Sequence, residues 1–218
     1  MTPRDPRPAS AAASRRAAVS HRAAQAWIEL LSPDPEATSA LAVARAHLPG
    51  GRFIRSLRRL RLLEIVGPLP GPEAIGELLH RSIQFYNPRK ERCTVRAAAG
   101  DPAPLRAGEA AVLVVERGAT RRPAAERWWH HETGQPVAVR EGLAWAVAFD
   151  DAGPAREQLE ALAVVRDRRH GLLCNPQAQD HRIAGAEVPL PWIEEEEPPP
   201  PARQAARGGT PRRKTRGG

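Results

Sequence analysis

The sequence predicts an α+β chain of two tandem βαββαβ units set between disordered termini. Three observations predict it. Short β-branched or alternating runs and helix-length segments follow one another in the same order twice. Glycine and proline punctuate both passes at corresponding places. The 23 prolines in 218 residues are too many for one compact domain and point to unstructured stretches.

The second pass is the clearer one. Ala111–Glu116 is a β-branched run ending at Gly118. Pro123 opens a helix over Ala124–Glu132, which Gly134 stops. Val137 and Val139 begin a short strand, and Gly142 is read as a turn into a second strand. There Leu143, Trp145, Val147 and Phe149 alternate with smaller residues. Gly153-Pro154 opens a helix carrying Leu159, Leu162, Val165, Leu172 and Leu173. Asn175-Pro176 ends it, since the residue before proline is pushed out of helical geometry. A strand near Gln179–Ile183 closes the unit.

The first pass fits the same template. Ala26–Leu31 reads as a strand, although Trp27–Leu31 in isolation also suits a helix. Pro33-Asp34-Pro35 leads into a helix over Glu36–His47, ended by Pro49-Gly50-Gly51. Phe53–Leu57 and Leu60–Val66 are expected to form a hairpin. Gly71-Pro72 opens a second helix through Ile75, Leu78, Leu79 and Ile83, which Asn87-Pro88 ends. Glu91–Arg96 is the closing strand.

The resulting organisation is a tail over 1–22, a first unit over 23–98, a linker over 99–108, a second unit over 109–185, and an acidic, proline- and arginine-rich tail over 186–218. The break at Ala97–Gly108 holds Gly100, Pro102, Pro104 and Gly108. From Pro189 onward, Glu194–Glu197, Pro198–Pro201 and a Gly/Arg-rich end offer little to bury against the entropy of ordering. Met1–Arg22 lacks the apolar centre of a secretory signal, and an organelle transit peptide stays open as a reading.

Composition narrows the function classes. A net charge of +8 and a sequence pI near 10.9 suit a nucleic-acid or acidic-membrane partner. The same charge also follows from a G/C-rich coding sequence, since nearly all of it is arginine. Arg55, Arg58, Arg59 and Arg61 form the most basic structured stretch, but strand alternation splits them between two faces and only Phe53 is interleaved for stacking. The basic end, with Arg212, Arg213, Lys214 and Arg216, suits weak, non-specific nucleic-acid contact. Two cysteines are too few for a disulfide framework and fit a reducing cytoplasm. No apolar run is long enough to span a membrane.

No phosphate-cradling loop appears. Cys93 and Cys174 lack the sharp small-residue turn of a nucleophile. His130 and His131 point about 100° apart on a helix and do not readily share one ion. The expectation is no catalytic, cofactor or metal site.

The second pass resembles the PurS family, the small subunit of phosphoribosylformylglycinamidine synthase. The resemblance rests on Val137-Ala138-Val139-Arg140-Glu141-Gly142, Leu172-Leu173-Cys174-Asn175-Pro176 and Asp180-His181-Arg182-Ile183. The first pass keeps Tyr86-Asn87-Pro88 and Glu91-Arg92-Cys93-Thr94-Val95, with Leu57-Arg58-Arg59-Leu60 in place of the Val-Arg-x-Gly segment. PurS is ordinarily one unit per chain, so the fusion of two and the added tails are departures.

The resemblance implies ferredoxin-like units paired as an internal pseudo-dimer. It also implies a cytoplasmic, non-catalytic role in purine biosynthesis, bridging a PurL-like synthetase and a PurQ-like glutaminase, with self-association possible. Arg140, Gly142, Trp128, Trp129, Asn175, Pro176, Asn87 and Pro88 are the candidate partner-docking residues, with one tryptophan expected buried and the other at an interface. Competing readings are an Arg-rich nucleic-acid-binding protein on a duplicated ferredoxin-like module, and a diverged duplicate that kept the fold and lost its partners.

Overall fold

The computed structural model describes residues 22–150, 156–185 and 187–193. They form an α+β structure with one six-stranded antiparallel sheet and four helices. In chain order the elements are β1 (Arg22–Leu30), α1 (Pro35–His47), β2 (Ile54–Gly67), α2 (Pro72–His80), β3 (Glu91–Arg96), β4 (Glu109–Glu116), α3 (Pro123–Thr133), β5 (Ala138–Phe149), α4 (Arg156–Ala163) and β6 (Gln179–Ala184). The strand order is β3-β1-β2-β5-β4-β6. Each half has its first strand in the middle of three, and the halves join where β2 runs antiparallel to β5 over Ile54–Val66 and Ala138–Phe149. The order strand, helix, strand, helix, strand therefore occurs twice.

The expected hairpin inside each half does not form. Phe53–Leu57 and Leu60–Val66 belong to one continuous segment, with β2 running unbroken from Ile54 to Gly67, and Val137–Phe149 supplies the single strand β5. The physical reason lies at Gly142. It makes no turn; it is a close approach, where an added Cβ would stand 2.9 Å from Leu113 Cδ1 and 3.0 Å from Val115 Cγ1 on the neighbouring strand. In the first half Leu57-Arg58-Arg59-Leu60 contains no turn residue at all. Long strands let the halves pair along their whole length, giving βαβαβ units in place of βαββαβ.

The helices start as the sequence suggests. Asp34 caps α1, its Oδ1 accepting from the Glu36 and Ala37 amides at 2.8 and 3.3 Å, with Pro35 in the first turn. Gly134, at φ 70°, closes α3 in the left-handed conformation that glycine adopts freely. The second helix of each half is shorter than expected. α2 ends at His80 and leaves Ile83 82% exposed. α4 ends at Ala163, and Leu172 and Leu173 return against it by donating amides to Leu162 O and Ala163 O at 2.7 and 3.1 Å. The expected Gly153-Pro154 start lies outside the described residues.

Strand alternation divides the interior. On one face, Leu57, Leu63 and Ile65 of β2 point toward the helices. There α1 and α4 share a core built around Ala44, Leu57, Val112, Val147 and Leu162. A second core joins α2 and α3 through Ile75, Leu79, Phe85, Trp129, Ile65 and Val139. Each group takes one helix from each half, so neither half owns a complete core.

Among the described residues the opposite face carries no helix. Its floor is Trp27, Leu60, Leu62, Ala111, Leu113, Ala144, Ala146 and Ala184, and it is covered by Ala103 and Leu105 from the 97–108 connection and by Val188, Trp192 and Ile193. Two expectations are corrected here. The connection at 99–108 is packed structure, with Asp101 Oδ2 accepting from the Ala97 and Ala98 amides, both at 2.9 Å. The start of the expected 186–218 tail is buried: Val188, Trp192 and Ile193 are 5, 4 and 2% exposed. Three large apolar side chains spaced over six residues give this stretch the surface to bury that its proline content disguises. The rest of that tail from 194 onward, and all of 1–22 except Arg22, which opens β1, lie outside the described residues.

Candidate docking face

On the helix-free face the register brings three polar residues into one row. Gln25 of β1 is the partner of Glu64 on β2 and of Arg96 on β3. All three are buried, at 0, 0 and 2% exposure. Gln25 Nε2 donates to Glu64 Oε1 at 2.7 Å, and Arg96 donates to Gln25 Oε1 at 2.7 Å. Trp27 Nε1 donates to the same Gln25 oxygen at 3.2 Å.

This row grips the main chain of residues 188–193. The Glu64 carboxylate accepts from the Trp192 and Ile193 amides, the latter at 2.8 Å. Gln25 Nε2 also donates to Pro189 O at 2.9 Å, and Arg96 donates to Val188 O at 3.0 Å. Arg182 of β6 donates to Trp192 O, and Arg140 of β5 reaches Ile193 O at 3.5 Å. The Trp192 ring stacks on Trp27 with centroids 6.3 Å apart and planes 27° from parallel. Burial pushes the Glu64 carboxyl above its ordinary range, against the opposing pull of Gln25, the two amides and the Arg140 charge.

A second anchor holds the 97–108 connection. Arg58 donates to both oxygens of Glu109 at 2.9 and 2.6 Å, to Glu29 at 2.7 Å and to Pro104 O at 3.1 Å. Burial alone would raise Glu109, but the Arg58 hydrogen bonds, the Arg106 amide and the two guanidinium charges bring it below the usual carboxylate range. The other arginines of the basic stretch are also engaged. Arg59 meets Asp34 at 2.9 Å and Glu36. Arg61 donates to Phe85 O at 2.6 Å and lies near Glu91. Arg55 donates to Ala107 O. The stretch is split between faces, as the alternation predicts, and its charge is directed into the fold.

The eight candidate docking residues separate into three kinds. Trp129 is fully buried, while Trp128 is half-buried and meets Phe85 edge-on at 5.4 Å. Arg140 and Gly142 are buried on the helix-free face. Asn87-Pro88 and Asn175-Pro176 build the same turn in both halves. Each asparagine Oδ1 accepts from the amide two residues on, at 3.0 Å from Arg89 and 3.1 Å from Gln177. Each asparagine amide donates to the side chain four residues on, Glu91 at 2.6 Å and Gln179 at 2.9 Å. That is an Asx-turn, which explains why Asn-Pro stands before each closing strand.

The structure does not bring these eight together in one patch. What sequence reasoning missed is the Gln25–Glu64–Arg96 row and its occupant. The signal available was the even spacing that puts Gln25 on the Trp27 face of β1 and Glu64 on the Leu60 and Leu62 face of β2.

Burial pushes the Cys93 thiol up to about 11, and raises Cys174 as well. Among the described residues no three His, Cys, Asp or Glu side chains come together to hold a metal ion. Nor is any helix there long and apolar enough to cross a membrane. Comparison with family models, curated proteins and solved structures finds no match to this chain.

Proposed function

We propose that the chain is a non-catalytic, PurS-like scaffolding subunit that bridges a synthetase and a glutaminase in phosphoribosylformylglycinamidine synthase. The observation that carries this reading is the pairing of two βαβαβ halves through β2 and β5 into one continuous sheet. Two such halves on one chain meet at high effective concentration, in place of the association of separate units that the resemblance implies. The structured arginines favour this reading over nucleic-acid binding, because Arg58 and Arg61 are paired with carboxylates of other strands and Arg59 with Asp34, the cap of α1.

Native mass spectrometry of the chain mixed with the PurL-like and PurQ-like subunits of its own organism tests the proposal. A three-component assembly with glutamine and ADP is the expected result. Separate species under every condition overturn it.

A further inference from the structure

The helix-free face binds residues 188–193 in the way a receptor binds a peptide. The segment joins no strand ladder, and the six-stranded sheet is complete without it. It is recognised through its backbone. Two amides go to one buried carboxylate, and carbonyls go to Arg96, Gln25, Arg182 and Arg140. Side-chain recognition is confined to apolar contacts, with Trp192 on Trp27 and Val188 and Ile193 on the alanine floor.

A carboxylate with no exposed surface is costly in an apolar core unless donors reach it. Much of the donor set of Glu64 is supplied by the segment itself. Leu or Ile at position 64 would close the same face without any segment. A buried Gln–Glu–Arg row is therefore machinery for holding a main chain by its amides and carbonyls, with side chains where peptide-binding sheets use their backbone.

We infer that this face is a peptide-docking groove, held in cis by Val188–Ile193 and open in trans to a segment of a partner protein. The partner segment has the same chemistry: no need for a strand partner, and an aromatic–aliphatic pair whose two amides meet Glu64. The resident segment acts as a tethered competitor, so a partner gains access only as that segment leaves. This inference does not depend on which complex the chain serves.

The test uses the full chain and a fluorescein-labelled peptide of residues 187–193, followed by fluorescence anisotropy. Trp192→Ala combined with Ile193→Pro removes the indole stack and one of the two amides that reach Glu64, leaving the sheet untouched. The peptide is expected to bind this variant at least about tenfold more tightly than the wild type, whose tether competes at high effective concentration. Adding Glu64→Ala abolishes that capture. Equal binding to both chains, or binding to neither, overturns the inference. So does loss of the folded circular-dichroism signal in both the double variant and Trp192→Ala alone, which makes the segment core and not ligand. Dimers that exchange the segment between wild-type copies, seen by size-exclusion chromatography, reassign the groove to self-association and also overturn it.

Discussion

The two halves of the sheet agree on the helix face and disagree on the other. In the first half the row across β3, β1 and β2 is Arg96, Gln25 and Glu64; in the second the corresponding row across β6, β4 and β5 is Ala184, Ala111 and Ala146. Both rows are buried on the helix-free side. The fold needs only the alanine version, which gives a flat floor without polar groups to satisfy. The polar version requires a partner for each of its atoms; the 188–193 segment supplies those of Glu64 and some of those of Arg96, whose remaining donors reach Asp101 O and Ala99 O. The lesson is that a repeated unit fixes the scaffold, whereas the place where one copy departs from the other marks what the scaffold holds.

The sharpest way to break the comparison is to give the second half the residue of the first. Ala146→Glu places a carboxylate in a buried alanine row whose β2 partner, Arg58, is already engaged by Glu109 and Glu29, and is expected to destabilise the fold by about 3–5 kcal/mol. Urea denaturation would read it. A cost near zero would mean that the alanine row is open to water and that the two rows are not equivalent.

Next in size is Glu64→Ala. It leaves the Trp192 and Ile193 amides without acceptors, at about 1–3 kcal/mol. Its distinctive signature is local: hydrogen exchange at those two amides rises well before exchange in β2 or β5. Uniform acceleration across the sheet would contradict the account, since it would make the segment inseparable from the core.

Two carboxylates on this face titrate in opposite senses, which gives a pH test. Glu109 is depressed in the folded state by its Arg58 hydrogen bonds despite burial. The stability it contributes is present above its unfolded pKa and is lost as pH falls through the lower folded value. Glu64 is raised by burial. Relative to Glu64→Gln, the wild type therefore loses stability as pH rises from the ordinary carboxylate range toward the folded value of Glu64. Urea midpoints of wild type, Glu109→Gln and Glu64→Gln between pH 3 and 8 should show differences of opposite slope. Parallel slopes would refute the assignment of the two shifts.

The smallest effect sharpens the agreement of the halves. Asn87→Ala and Asn175→Ala each remove one Asx-turn acceptor, and each should cost about 0.5–1.5 kcal/mol. Similar costs support the shared turn. A large cost at Asn175 alone, without loss of stability elsewhere, would point to a contact beyond the turn.

Much of the fold was legible because its signals are local. Pro35, Pro72 and Pro123 open helices, Gly134 closes one, and both Asn-Pro pairs precede closing strands, since each acts through its own φ or its own side chain. The strand lengths were not legible. Gly142 reads as a turn in one dimension, and only the approach of Leu113 and Val115 from β4 shows it to be a packing glycine. The groove was hidden for a similar reason. Gln25, Glu64 and Arg96 are far apart in sequence and meet only through strand register. Their occupant sits in a proline-rich stretch whose composition suggests disorder, and Trp192 and Ile193 reveal their role only against the alanine floor.

The proposed role is to hold a synthetase and a glutaminase together. The most direct measurement is glutamine-dependent amidine synthesis by the organism's PurL-like and PurQ-like subunits, with and without this chain. The account predicts ammonia-dependent activity in both cases, and glutamine-dependent activity only when the chain is added. Full glutamine-dependent activity in its absence would contradict it.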